Sequence, residues 1–117
     1  MMADTTPKPL LQVALPEFSE DLAAGLIADG RPDLADQIPG LRIWSQCGCN
    51  RSDCTSFYVG PEPAGPWSEE GKHENVLPDV SHAMVVLDVV AGIIRYVEVL
   101  DYPQIRSALD AASPPPQ

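Results

Sequence analysis

MVVLDVV (Met84–Val90), AG (Ala91-Gly92) and IIRYVEVL (Ile93–Leu100) form the stretch that decides the fold. Both flanking runs are rich in β-branched and aromatic side chains, which fit a pleated, half-buried surface. Ala91-Gly92 between them supplies a glycine, the residue that accepts the positive φ of a tight hairpin turn. The pattern predicts a central β-hairpin. Both runs are apolar on both faces apart from Asp88, Arg95 and Glu98, so the strands are expected to be covered on more than one side.

Working outward, Leu41 to Gln46 and Thr55 to Val59 read as two further strands, and the cysteine segment between them becomes the tip of a second hairpin. Gly60 to Asp79 carries Pro61, Pro63, Pro66 and Pro78 with Gly65 and Gly71, a composition that cannot hold a helix or an interior strand; it is expected to be a long loop. Toward the N-terminus, Phe18, Leu22 and Leu26 recur every four residues. With Pro16 suited to a first helical turn and Gly30 to a C-terminal stop, they predict a helix over about Pro16 to Asp29 that covers the sheet. Leu10 to Leu15 is expected to be a short extended segment, and Pro32 to open a helical turn through Leu34 and Ile38 that closes at Pro39-Gly40. Pro103 to Ala111 ends the fold as a short helix, with Ile105 and Leu109 at helical spacing. The expected class is α+β: a small antiparallel sheet of about four strands in two hairpins, with an N-terminal and a short C-terminal helix packed on it. Residues 10–111 form the single domain. Residues 1–9 are expected to be a flexible N-terminus, and 112–117 a disordered proline-rich tail.

A chain of 117 residues suffices for one core and not for two. Hydrophobic residues make up 44% and charged residues 21%, ordinary globular values that argue against wholesale disorder despite 13 prolines. Seventeen acidic against seven basic side chains give a net charge of -10, which repels a phosphate backbone, so nucleic acid is a poor candidate partner. No apolar run approaches the roughly 18 to 20 residues of a membrane helix, and Met1 to Leu10 lacks the basic-then-apolar order of a secretory signal. A cytoplasmic location and no membrane partner are therefore expected.

Chemical information is concentrated in Cys47-Gly48-Cys49-Asn50-Arg51-Ser52-Asp53-Cys54, a Cys-x-Cys-x4-Cys arrangement. Gly48 lets the backbone bend so that Cys47 and Cys49 can face one centre, while Cys54 returns on the other arm. Zinc takes four soft or borderline ligands in a tetrahedron, and three sulfurs leave one place for a nitrogen. The expected metal site is zinc on Cys47, Cys49, Cys54 and His73, with His82 as substitute for the imidazole; such a tie would pin the Gly60 to Asp79 loop to the hairpin tip. Two other readings stand beside it. The thiols can be free residues of a turn, or form redox chemistry in which Cys47 and Cys54 pair and Cys49 attacks, with Arg51 lowering a thiol pKa and Asp53 opposing that. Asp88 and Glu98 would make an acid/base pair if they faced one cavity; the simpler expectation is a solvated strip with Arg95 as cross-strand partner. Trp44, Phe57, Tyr58, Trp67 and Tyr96 read as core and loop-anchoring aromatics. Asn50-Arg51-Ser52 matches the glycosylation triplet, which matters only on a secretory route. Phosphate-binding glycine loops, a serine nucleophile elbow and the helical zinc-protease motif are absent from the sequence.

Several segments together resemble a known family: Leu-Pro-Glu-Phe at 15 to 18, Pro-Gly-Leu-Arg-Ile at 39 to 43, and the cysteine motif followed by Thr-Ser-Phe-Tyr at 55 to 58. To these add His73-Glu74-Asn75-Val76, Leu-Asp-Val-Val at 87 to 90 and Tyr-Val-Glu-Val-Leu-Asp at 96 to 101. The chain is similar over residues 15–107 to a family of small uncharacterised bacterial proteins, mainly actinobacterial. The resemblance implies a shared fold and a metal site, favours His73 over His82, and implies no reaction. The sequence departs from the pattern at Asn50, where glycine is usual, and at Ala91, where an acidic residue is usual.

These readings lead to a non-catalytic binding or regulatory module with a structural zinc. Its rivals are a thiol- or metal-dependent enzyme using the cysteine cluster, and an acidic interaction or inhibitor protein whose partner is a basic protein.

Overall fold

The two long apolar runs pair as their composition requires. A computed structural model describes residues 8–46, 54–60, 73–80, 83–100 and 102–113. In chain order the elements are α1 (Leu11–Ala14), α2 (Pro16–Ala28), α3 (Pro32–Ala35), a 3-10 turn (Ile38–Gly40), β1 (Ser45–Gln46), β2 (Phe57–Tyr58) and β3 (His73–Val76). They are followed by β4 (Met84–Val90), β5 (Ile93–Leu100), a second 3-10 turn (Pro103–Ile105) and α4 (Arg106–Ala112). The class is α+β, with a five-stranded antiparallel sheet in the order β1-β2-β5-β4-β3.

The central hairpin β4–β5 runs from Met84 opposite Leu100 to Val90 opposite Ile93. Ala91 (φ 53°) and Gly92 (φ 82°) both take positive φ, the requirement of a type I′ turn whose twist matches the strands. The register slips between Asp88, opposite Tyr96, and Val89, opposite Ile94, so Arg95 is the extra residue of a β-bulge. The bulge explains an anomaly of spacing. Ile94 and Val97 are three residues apart yet are 2% and 0% exposed, both turned to the core with Val99, Val85, Leu87 and Val89. Only this face is fully buried. On the other, Val86, Tyr96, Glu98 and Leu100 are half-buried and Met84 and Ile93 exposed, so the expected two-sided cover is only partly met.

The helices supply the other half of the core. Phe18, Leu22 and Leu26 of α2 are buried as their spacing predicts, and Phe18 meets Phe57 edge to face with ring centroids 6.3 Å apart. Gly30 (φ 76°) stops the helix: its N–H donates to the Ile27 carbonyl and that of Arg31 to the Leu26 carbonyl, the paired bonds of a Schellman cap. The other glycine of consequence is Gly25, which sequence reading passed over. A Cβ there would lie 2.6 Å from the Asp79 carbonyl oxygen, so only glycine lets the chain after β3 cross α2 this closely.

Three expectations need correction. Leu10 to Leu15 is not extended: Leu10 alone bridges Arg42, and α1 follows because Leu11 and Leu15, four apart, both enter the core. The Gly60 to Asp79 stretch contains a four-residue strand, β3, formed within the six residues between Gly71 and Pro78 that are free of both breakers. It lies at the sheet edge, where one side of the backbone needs no partner strand. Finally, Lys8 and Pro9 are tied down, since Pro9 accepts from the Ile43 N–H at 2.9 Å and the Arg42 guanidinium donates to the Lys8 carbonyl. Ala112 is helical and Ser113 buried. The rest of the expected loose ends, residues 1–7 and 114–117, lies outside the described residues.

Candidate metal centre at the cysteine hairpin

Strands β1 and β2 carry the cysteine segment between them, with Gln46 opposite Phe57 as the last described pair before it. Cys47 and Cys49 lie outside the described residues; Cys54 lies within them, buried, on an isolated bridge to Leu100. Its thiol donates to Ser56 Oγ at 3.3 Å. Ser56 is itself a ladder substitute: its hydroxyl accepts from the Val99 N–H at 2.8 Å, the donor that Thr55, bonded through its own N–H to the Val99 carbonyl, leaves unserved. Thr55 Oγ1, also buried, has no hydrogen-bond partner among the described residues. An unpaired hydroxyl in such a place costs about 1–3 kcal/mol of desolvation.

The stems of this hairpin are held by α4. Gln46 is 5% exposed and donates from Nε2 to Asp110 Oδ1 at 2.8 Å and to the Ser113 carbonyl at 2.6 Å. Arg106 donates from Nη1 to Gln46 Oε1 at 3.3 Å and from Nη2 to the Cys54 carbonyl, and its guanidinium lies 3.7 Å from Asp110. Arg106 and Asp110, four apart, share one face of the helix, while Leu109 and the preceding Ile105 are buried in the core. Sequence reading found the helix by those two apolar residues and missed its polar face. These contacts join positions 52 to 67 residues apart, and no local pattern announces them.

His73 is elsewhere. It opens β3 opposite Val90, at the Ala91-Gly92 end of the sheet, and its Nε2 lies 3.3 Å from Asp88 Oδ1. Cys54 faces Leu100, which faces Met84, at the far end of the same hairpin. The six residue-to-residue steps from Met84 to Val90 alone span roughly 20 Å, whereas zinc holds sulfur at about 2.3 Å and nitrogen at about 2.0 Å. The structure therefore does not bring His73 to Cys54; Cys47 and Cys49, the other two expected ligands, lie outside the described residues. Among the described residues no three Cys, His, Asp or Glu side chains converge on a point.

The other expected residues fall as follows. Arg95 is the bulge residue, beside Gly60, and Asp88 has His73 as partner instead. Asp88 and Glu98 lie on the outer sheet face, away from a cavity of about 200 Å³ that opens between Leu15, Phe18, Tyr102 and Ile105. Burial there, reinforced by the charges of Asp21 and Glu17, raises the pKa of the Tyr102 phenol. Phe57 is core as expected, but Tyr58 and Tyr96 pack against each other on the outer face with rings tilted by 46° and centroids 4.5 Å apart, and Trp44 is 38% exposed under the Lys8 ammonium. Trp67 and His82 lie outside the described residues. At the opposite edge Arg31 joins Asp33 and Glu74, each at 3.2 Å; the guanidinium lowers the Asp33 pKa.

No family model, curated protein or solved structure matches the chain. No described helix is long and apolar enough to cross a membrane.

Proposed function

We propose that the protein is a small, non-catalytic zinc-binding module, its metal held by Cys47, Cys49 and Cys54 with His82 as the nitrogen ligand. The observation that carries the reading is the buried Cys54 on a stem anchored by the Gln46–Arg106–Asp110 network, a rigid base for a loop that holds two more thiols within seven residues. Three thiols and an imidazole match the borderline-soft preference of zinc and fill its tetrahedron, which makes the metal's role structural. Zinc would cross-link the hairpin tip, and the chain's task would then be recognition by a fixed surface. His82 replaces His73 on grounds of connectivity. In sequence it stands two residues before Met84, whose partner Leu100 bridges Cys54.

In the thiol-enzyme alternative Cys49 is the reactive group, since Cys54 is buried and hydrogen-bonded to a hydroxyl. Elemental analysis of the purified full chain, combined with thiol titration before and after chelation, tests the proposal. One zinc per chain with three thiols protected until the chelator is added is the expected result. A metal-free protein with one fast-reacting cysteine overturns it.

A further inference from the structure

We infer that the cavity between the start of α2 and the chain after β5 binds a small organic cation, an ammonium group on an aromatic or aliphatic body, independently of any metal. Its walls include the buried Leu15, Phe18 and Ile105 and the half-buried Tyr102, whose ring tilts 41° against that of Phe18 with centroids 5.9 Å apart. At about 200 Å³ it is smaller than the roughly 300–1,000 Å³ of drug-sized sites, so its occupant is a small molecule. The polar lining is sparse: the Glu17 carboxylate, the Gln104 amide and the Tyr102 hydroxyl. None of these three groups has a hydrogen bond or ion pair among the described residues. Apolar walls that bury a ligand and a few free polar groups that orient it are the composition of a small-molecule site. The sign of the ligand's charge follows from the same surroundings. Among the described lining residues there is no Lys, Arg or His, and Arg106, the basic residue of α4, is committed to the hairpin stems and Asp110. Asp21 lies one helical turn beyond Glu17, on the same face. Burial first, and then the charges of Asp21 and Glu17, raise the pKa of the Tyr102 phenol, so both carboxylates are felt at the cavity and the phenol stays neutral there. An anion would meet two carboxylates with no cation to offset them, whereas an ammonium gains their attraction and that of the aromatic lining.

The full chain is titrated, by calorimetry and amide NMR, with three probes of similar size: phenethylammonium, neutral 2-phenylethanol and anionic phenylacetate. Phenethylammonium should bind most tightly and move the amide signals of residues 14–18 and 104–108. Its affinity should fall as NaCl is raised from about 0.1 to 1 M, which shortens the screening length from about 10 to about 3 Å. Glu17→Gln should weaken it about two- to fivefold, the range of a solvent-exposed ion pair. Asp29→Asn, which removes one exposed carboxylate about 18 Å away at the other end of α2, should leave it unchanged. Ala108→Leu, at an exposed position of α4 that lines the cavity, should fill the space and abolish binding of all three probes without lowering the melting temperature. Phenethylammonium that leaves those amide signals unmoved at millimolar concentration overturns the site. If 2-phenylethanol or phenylacetate binds as tightly as the ammonium, and Glu17→Gln behaves like Asp29→Asn, the cavity does not select a cation and the inference is refuted.

Discussion

Replacing the two histidines separately tests the proposed ligand set. His73→Ala removes an imidazole whose side chain is 30% exposed and whose partner, Asp88, is 22% exposed. A half-exposed pair of this kind contributes under about 1 kcal/mol, or about 4 °C in a domain of this size. Zinc linkage is larger: free zinc at 100 times its dissociation constant adds about 2.7 kcal/mol, or roughly 10 °C. Because His73 sits at the Val90 end of the sheet and Cys54 at the Leu100 end, His73→Ala should keep that whole increment. His82→Ala should raise the dissociation constant by about 100-fold at the same free zinc, shrinking the increment to RT ln 2, about 0.4 kcal/mol or some 2 °C. Differential scanning calorimetry of the reduced full chain, with and without buffered zinc, reads both numbers. Loss of the increment in His73→Ala and its survival in His82→Ala would refute the register argument and return His73 to the shell.

Other consequences concern the frame of the site. Ala91 pays the Cβ strain of φ 53°, about 1–2 kcal/mol for an L-residue, so Ala91→Asn should raise stability by about 0.5–1 kcal/mol in urea titrations; a lower stability would argue against the type I′ turn. Gly25→Ala should cost about 1–3 kcal/mol by overpacking against the Asp79 carbonyl, and a neutral result in the same titration would contradict the close crossing. Thr55→Val should stabilise by about 1 kcal/mol with zinc affinity unchanged, measured by melting and chelator competition, because it deletes a buried hydroxyl without a partner. Raising the Tyr102 pKa favours folding below the ordinary tyrosine range near 10 and loses that contribution as pH rises through the folded-state value; Tyr102→Phe should accordingly flatten the alkaline limb of stability against pH.

The sequence by itself determined the elements whose signal is local. Met84–Val90 and Ile93–Leu100 were legible to the residue because β-branched composition, length and the Ala91-Gly92 turn agree within seventeen positions. Pro16–Ala28 was legible because its apolar stripe, N-terminal proline and Gly30 stop lie within one helix. The three cysteines marked the candidate site by spacing alone. Tertiary structure decided what sequence distance hides. The bulge at Arg95 is a property of two strands in register, and the fit of Gly25 to Asp79 depends on a segment more than fifty residues away. The same holds for His73: β3 carries it to the Val90 end of the sheet, away from Cys54 at the Leu100 end. Likewise Gln46, Arg106 and Asp110 carry no motif, and only the packing of α4 beside β1 makes three scattered polar residues into one support. Periodicity reports which face of an element is apolar; the partner that face meets is set by the closure of the whole chain.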